Sequence, residues 1–236
     1  YAEGFDPGLG DSRVVVRDFQ DRCGAKDAAF GHLYGEILSR LGTKSIENYR
    51  LQASKFAKKG FVITDALREH SGNFVIWLDA DAYTHTRLNL SMLKQIIRAE
   101  NEDVFCSYLR RFGVHTESGF LAFNTSHRLC PDFVERYEAL YLSGAVFHLE
   151  GWTDCHVFDW VRALHVAQGY RAAYFEIPSR GNQHVFLNSP IGLLMDHLKG
   201  ERKELGQSEA VDFVLPPRSR VSFDGRYVQL NQLIRL

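Results

Sequence analysis

The sequence predicts a single α/β domain, and three observations carry that expectation. Helical and extended stretches alternate along the 236 residues with no internal repeat and no low-complexity linker. The apolar run Phe74-Val-Ile-Trp-Leu78 stands between a Ser-Gly-Asn turn and a pair of acids, as a central strand buried on both faces does. A hydrophobic content of 45% suffices for one large core.

In chain order, Val14-Val15-Val16 reads as a short strand and two helical stretches follow. The second carries Phe56, Gly60, Ile63, Thr64 and Leu67 at the spacing of a buried helical stripe, a face expected to pack on a sheet. Phe74–Leu78 is the next strand, Leu90 to Ala99 a helix, Val104-Phe105-Cys106 a short strand, and Gly119 to Asn124 another. Pro131 opens a helix with Phe133, Tyr137, Leu140 and Tyr141 inward. Thr153 can cap the next, on which Val157, Val161 and Leu164 share a face. From Arg171 onward short extended pieces and loops are expected, ending in helical spacing at Leu230, Leu233 and Ile234. With no Met at its start and no cap at its end, the chain is expected to be a fragment, its first strand and a C-terminal domain lying outside it.

A net charge of −1 and a pI near 6.9 leave no summed field to draw the chain onto nucleic acid or an anionic membrane. Cys23, Cys106, Cys130 and Cys155 form no CxxC pair and are expected to be reduced and structural. No apolar run is long enough to span a bilayer and the start is not a signal peptide, so a cytoplasmic protein is expected.

Two stretches carry chemistry. Asp79-Ala80-Asp81 follows the apolar run directly, and residues two apart in extended chain point to one side, so both carboxylates can converge on a hard divalent cation. The carboxyl end of a strand is also where open α/β sheets bind ligands. Alone, the triplet is equally what a solvated loop or helix cap presents. Far downstream, His197-Leu-Lys-Gly200-Glu-Arg-Lys203 sets an imidazole three residues before a Gly and six before a Lys. A neutral imidazole can complete a carboxylate site on Mn²⁺ or Mg²⁺, Gly lets backbone approach a phosphate, and Lys neutralises it. Taken alone this stretch also reads as a charged surface turn. His115, His127, His148, His156, His165 and His184 lack metal-ligand spacing and are assigned to no metal.

An apolar strand ending in D-x-D together with a late H-x-x-G-x-x-K resembles the donor site of GT-A glycosyltransferases. Trp77-Leu-Asp-Ala-Asp81, Glu117-Ser-Gly-Phe-Leu-Ala-Phe-Asn124 and Asp196-His-Leu-Lys-Gly200 are also similar to a glycosyltransferase domain of large algal viruses, a group in which a methyltransferase domain can follow. The resemblance spans roughly residues 1 to 205 and implies a GT-A-type α/β/α sandwich with a mostly parallel central sheet. By match to the galactosyltransferase and glycogenin-like branch, Asp79, Asp81 and His197 would bind Mn²⁺ or Mg²⁺, and Ala80, Gly200 and Lys203 would line the diphosphate. The aromatic ending of that branch is missing, because Lys203 is followed by Glu204-Leu205. The implied activity is transfer of a sugar, from a uridine diphosphate donor in particular, to a carbohydrate or other hydroxyl acceptor.

The same resemblance points to Asp154, at a helix start, as the carboxylate near donor and acceptor that would take the acceptor hydroxyl proton, and to Glu117 as a second candidate. Trp152 could supply a stacking face. Lys55 and Lys59, one helical turn apart, could lean toward the diphosphate. Tyr1 and Glu3 occupy the place where this fold receives the nucleobase. Each has a plainer reading, namely a helix-start acid, a surface Glu and a wet lysine face. Two other classes remain open. A sugar-nucleotide nucleotidyltransferase would share the acid pair, although Asp6-Pro-Gly-Leu-Gly-Asp11-Ser-Arg13 only faintly approximates its Gly-rich loop, and a non-catalytic nucleotide-sugar-binding domain would share the cation site without turnover.

Overall fold

The computed structural model describes residues 13–41, 48–200, 202–214, 220–223 and 226–229. Tyr1, Glu3 and the helical spacing at Leu230, Leu233 and Ile234 lie outside the described residues. The helices and strands are α1 (Phe19–Leu41), α2 (Ala53–Glu69), β1 (Phe74–Leu78), β2 (Ala82–Thr84), α3 (Leu90–Ile96), β3 (Cys106–Leu109) and β4 (Glu117–Asn124). They continue with α4 (Cys130–Leu142), α5 (Asp154–Ala167), β5 (Tyr174–Ile177), β6 (Met195–His197), α6 (Arg202–Leu205), β7 (Arg220–Phe223) and β8 (Arg226–Gln229). The chain is mixed α/β, and it forms two compact units, residues 1–71 with 128–163 and residues 72–127 with 164–236. Neither composition nor hydropathy marks that division.

The first unit is helical. Asp18 caps α1, its carboxylate accepting the N–H groups of Gln20 (2.7 Å) and Asp21 (3.1 Å). The stripe predicted on α2 is buried at Phe56, Gly60, Ile63, Thr64 and Leu67. Within this unit its partner is helix α4 rather than a sheet, because Gly60 leaves room for an aromatic ring. A Cβ there would stand 2.8 Å from Cε1 of Tyr137 and 3.1 Å from Cε2 of Tyr141. Phe30 and Phe61 meet Tyr141 edge-on, at ring centroids of 5.3 and 5.9 Å. One buried charge interrupts the apolar packing. Glu138 accepts bonds from Thr64 (2.5 Å), Lys26 (2.7 Å) and Arg68 (2.5 and 2.8 Å). Thr153 precedes α5 as expected, and its carbonyl accepts the N–H of His156 and Val157. Val14 to Val16, expected as a strand, has no regular structure and is exposed.

The second unit holds a four-stranded sheet in the order β1-β4-β3-β5. β1 and β3 both run antiparallel to β4, and only β3 with β5 is parallel. Among the described residues the sheet is therefore mixed, not mostly parallel. Among the described residues strand β4 lies inside the sheet, with all eight residues buried, and β1 is at its edge, with Phe74 and Leu78 exposed. Among the described residues the apolar run of β1 thus belongs to a half-covered edge strand rather than a central one. Leu109, Phe120, Ala122 and Ile177 gather with Leu93, Ile96, Phe186 and Met195 into one core beside the sheet. Two short ladders complete the unit, β2 with β6 and β7 with β8. The latter pairs Arg220–Phe223 with Arg226–Gln229, two of the short extended pieces expected after Arg171. Among the described residues no helix is long and apolar enough to cross a membrane.

Candidate cation site

The antiparallel pairing of β1 with β4 sets the carboxyl end of one against the amino end of the other. Leu78 stands opposite Phe120, and the N–H of Asp79 donates to the carbonyl of Gly119 at 3.0 Å. The chain then turns instead of running on extended, since Ala82 N–H donates to the Asp79 carbonyl at 2.9 Å. Convergence of the two acids therefore comes from a turn, not from strand alternation. The Asp79 carboxylate is oriented by the Trp77 indole N–H at 2.8 Å.

Main-chain pairing also delivers the imidazole. Ala82 lies opposite His197 in the β2–β6 ladder, and Leu198 N–H donates to the Asp81 carbonyl. His197 Nε2 consequently stands 2.6 Å from Asp81 Oδ1 and 3.9 Å from Asp79 Oδ2. On the ring's other side, Nδ1 is 3.6 Å from Glu117 Oε1. Gly200, in the left-handed region at φ +60°, turns the chain after His197, and Lys203 N–H donates to the Gly200 carbonyl at 3.0 Å. Lys203 then returns to bond Asp81 Oδ2 at 2.6 Å. The structure thus brings together Asp79, Ala80, Asp81, Glu117, His197, Gly200 and Lys203.

Several members of the site carry no signal that the motifs supplied. Lys199 binds both oxygens of Glu117 at 2.8 Å. Asp196 and Arg202, both buried, grip the His197 backbone from either side. Asp196 accepts the His197 N–H at 2.7 Å, and Arg202 donates to the His197 carbonyl at 2.7 Å. Ser208 donates to Asp196 from behind. Gly119 is the closest approach, since a Cβ there would lie 2.7 Å from Cε1 and Nδ1 of His197. An isolated Gly inside a strand is the sequence signal for such contact.

Burial opposes charge on Asp81 and on Glu117, yet both pKa values end below the ordinary range. Lys203 and the hydrogen bond from His197 hold Asp81 ionised, and Lys199 and Arg111 hold Glu117 ionised. Burial, joined by the Lys199 charge, keeps the His197 pKa below its usual value against the pull of the three acids, which favours the neutral imidazole. Beside Glu117 and His197 opens a cleft of about 210 Å³, lined by Arg111, Asn182, Gln183, His184, Val185, Phe186, Lys199 and Arg202.

No protein-family model, curated protein or solved structure matches this chain. The donor set itself fits a hard divalent cation, with carboxylate oxygens and one imidazole, as Mn²⁺ and Mg²⁺ prefer. Asp79, Glu117 and His197 can each offer one atom, all within 4.8 Å of one another. In addition, Nδ1 of His197 is buried without a hydrogen-bond partner.

The remaining sequence-predicted residues belong to the helical unit. Lys59 is paired with Asp154 at 2.7 Å, both largely buried. The Lys55 ammonium lies over the rings of Tyr49 and Phe56, at 4.6 and 5.0 Å. Trp152 is not an open stacking face, because its indole is buried edge-on against Phe147 and Tyr34. None of the four cysteines forms a disulfide; Cys23 and Cys130, like Cys106 in the sheet unit, are buried, and Cys155 is half-buried.

Proposed function

We propose that this chain is a cation-dependent glycosyltransferase that moves a sugar from a nucleotide diphosphate donor, a uridine diphosphate sugar foremost, to a hydroxyl acceptor. One observation carries the reading: His197 Nε2 lies 2.6 Å from Asp81, although 116 residues separate them, so the two motifs of the resemblance form one site. Asp79, Asp81 and His197 would hold Mn²⁺ or Mg²⁺. Such a cation, when bound, supplies the charge that stabilises a leaving diphosphate. Lys203 stands at the same site with a half-exposed side chain and can add a second positive charge to the phosphates. Glu117, ionised and bordering the cleft, can accept hydrogen bonds from sugar hydroxyls. At about 210 Å³ the cleft is below the roughly 300–1,000 Å³ of whole-ligand pockets, which suits one part of a donor rather than all of it.

A binding domain without turnover is the second reading. It draws on the engagement of Asp81 and Glu117 by Lys203 and Lys199, and of Asp154 by Lys59, which leaves none of these acids disposed as a general base. A panel of nucleotide diphosphate sugars with and without Mn²⁺, read by thermal shift and by release of nucleoside diphosphate, separates the readings. Mn²⁺-dependent release from one donor supports transfer, stabilisation without release supports the binding domain, and release of pyrophosphate from a nucleoside triphosphate and a sugar phosphate supports a nucleotidyltransferase. Neither stabilisation nor release with any donor would sink the proposal.

A further inference from the structure

We infer that Glu117 is a ligand of the cation, and that Lys199 is the counter-ion it exchanges for that cation. The inference deepens the proposed function, resting on its cation site but not on sugar transfer. Three observations lead to it. Glu117 offers an oxygen within 4.8 Å of donor atoms of Asp79 and His197, so the three can share one ion. His197, 3% exposed, does not tie Glu117 down: its Nδ1 has no hydrogen-bond partner, and the 3.6 Å gap to Oε1 is too long for a shared proton. Finally, a buried carboxylate needs a positive partner, and the nearest one to Glu117 is replaceable.

That partner is Lys199. Its ammonium sits on both oxygens of Glu117 at 2.8 Å, yet its side chain is 46% exposed against 7% for Glu117. Lysine is a flexible point charge that leaves to water at little cost, whereas the buried acid must stay where β4 places it. Arg111, at 3.8 Å from Glu117, spends its guanidinium on the carbonyls of His115 and Thr116 and is a weaker competitor. Asp79, Asp81 and Glu117 bring three negative charges to the site, and Lys199 with Lys203 balances two of them. A divalent ion replaces that pair charge for charge, and both lysines are then available to an anionic ligand.

The test uses Mn²⁺ alone, with the free-ion electron paramagnetic resonance signal titrated against the full chain. Removing a ligand and removing its competitor must act in opposite directions. Glu117→Gln should weaken Mn²⁺ binding by about 10- to 100-fold. Lys199→Met should tighten it by about fivefold at low salt, as loss of a nearby like charge predicts. Thermal unfolding of each variant in chelator shows that it is folded, and the gain in Lys199→Met cannot arise from a folding defect. Wild-type affinity in Glu117→Gln, or no gain in Lys199→Met, overturns the inference while leaving the transferase reading intact. Absence of Mn²⁺ binding by the wild type overturns both.

Discussion

Replacing Gly119 by Ala tests the architecture of the site with one added carbon. The new Cβ would fall 2.7 Å from Cε1 and Nδ1 of His197 and 3.0 Å from Glu117 Oε1. Attractive contact begins near 3.5 Å, so the ring must retreat by roughly 0.8 Å. On the β1 side Gly119 is held in place, its carbonyl accepting the N–H of Asp79 at 3.0 Å. Phe186, a core residue, packs edge-on against the imidazole at 5.0 Å, so a shift of the ring also disturbs the core. Gly119 is not among the positive-φ glycines, and the whole effect is therefore steric. Overpacking of this kind costs about 1–3 kcal/mol, and in a chain of this size about 2 kcal/mol lowers Tm by roughly 4–8 °C. The same displacement changes where Nε2 stands relative to Asp81, now 2.6 Å away, so Mn²⁺ affinity should fall together with Tm. Calorimetry in chelator reads the first and Mn²⁺ titration the second. A Gly119→Ala protein with wild-type Tm and wild-type Mn²⁺ affinity would refute the placement of His197 against β4.

Other expectations follow from the helical unit and the cation site. Glu138, buried but held by Arg68, Lys26 and Thr64, has its pKa lowered from 4.5 to about 2, so its contribution is complete above about pH 4.5 and is lost as pH falls toward 2. Urea unfolding of wild type and Glu138→Gln should differ at pH 7 by at most about 3 kcal/mol, less for screening at the half-exposed Arg68, and the difference should shrink on acidification through that window. A pH-independent difference would contradict the assignment. Burial, with help from the Asp65 charge, raises the Cys23 thiol to about 11, and it should resist alkylation at pH 8 until the chain unfolds, as mass spectrometry can show. Gly60→Ala should destabilise the helical unit by about 1–3 kcal/mol in the same urea assay, despite the higher helix propensity of Ala, because the Cβ meets Tyr137. His197→Ala should abolish Mn²⁺-dependent stabilisation, whereas His127→Ala, outside the site, should leave it unchanged in a thermal-shift assay.

Much of the secondary structure was legible because it rests on local periodicity. The α2 stripe, the Pro131 start of α4, the Thr153 start of α5 and the β1 and β4 segments all carry their pattern within a few residues. The errors arose where pairing decides. An apolar pentapeptide cannot show whether one or two strands will flank it, and β1 is an edge in the described sheet. Strand direction is equally absent from hydropathy, and the expected parallel sheet proved mixed. Val14 to Val16 has strong strand propensity but no ladder.

The sequence by itself determined the chemistry available to the site: a pair of acids after a strand, an imidazole, and a Gly and Lys at set intervals beyond it. Side-chain identity and short spacing are local properties, and so they can be read directly. Which groups meet was decided by tertiary structure. The β2–β6 ladder carries His197 across more than a hundred residues to Asp81, the amino end of β4 brings Glu117 to its far side, and Gly119 leaves the space for the ring. Contacts between distant segments depend on strand order and register, which no local pattern encodes.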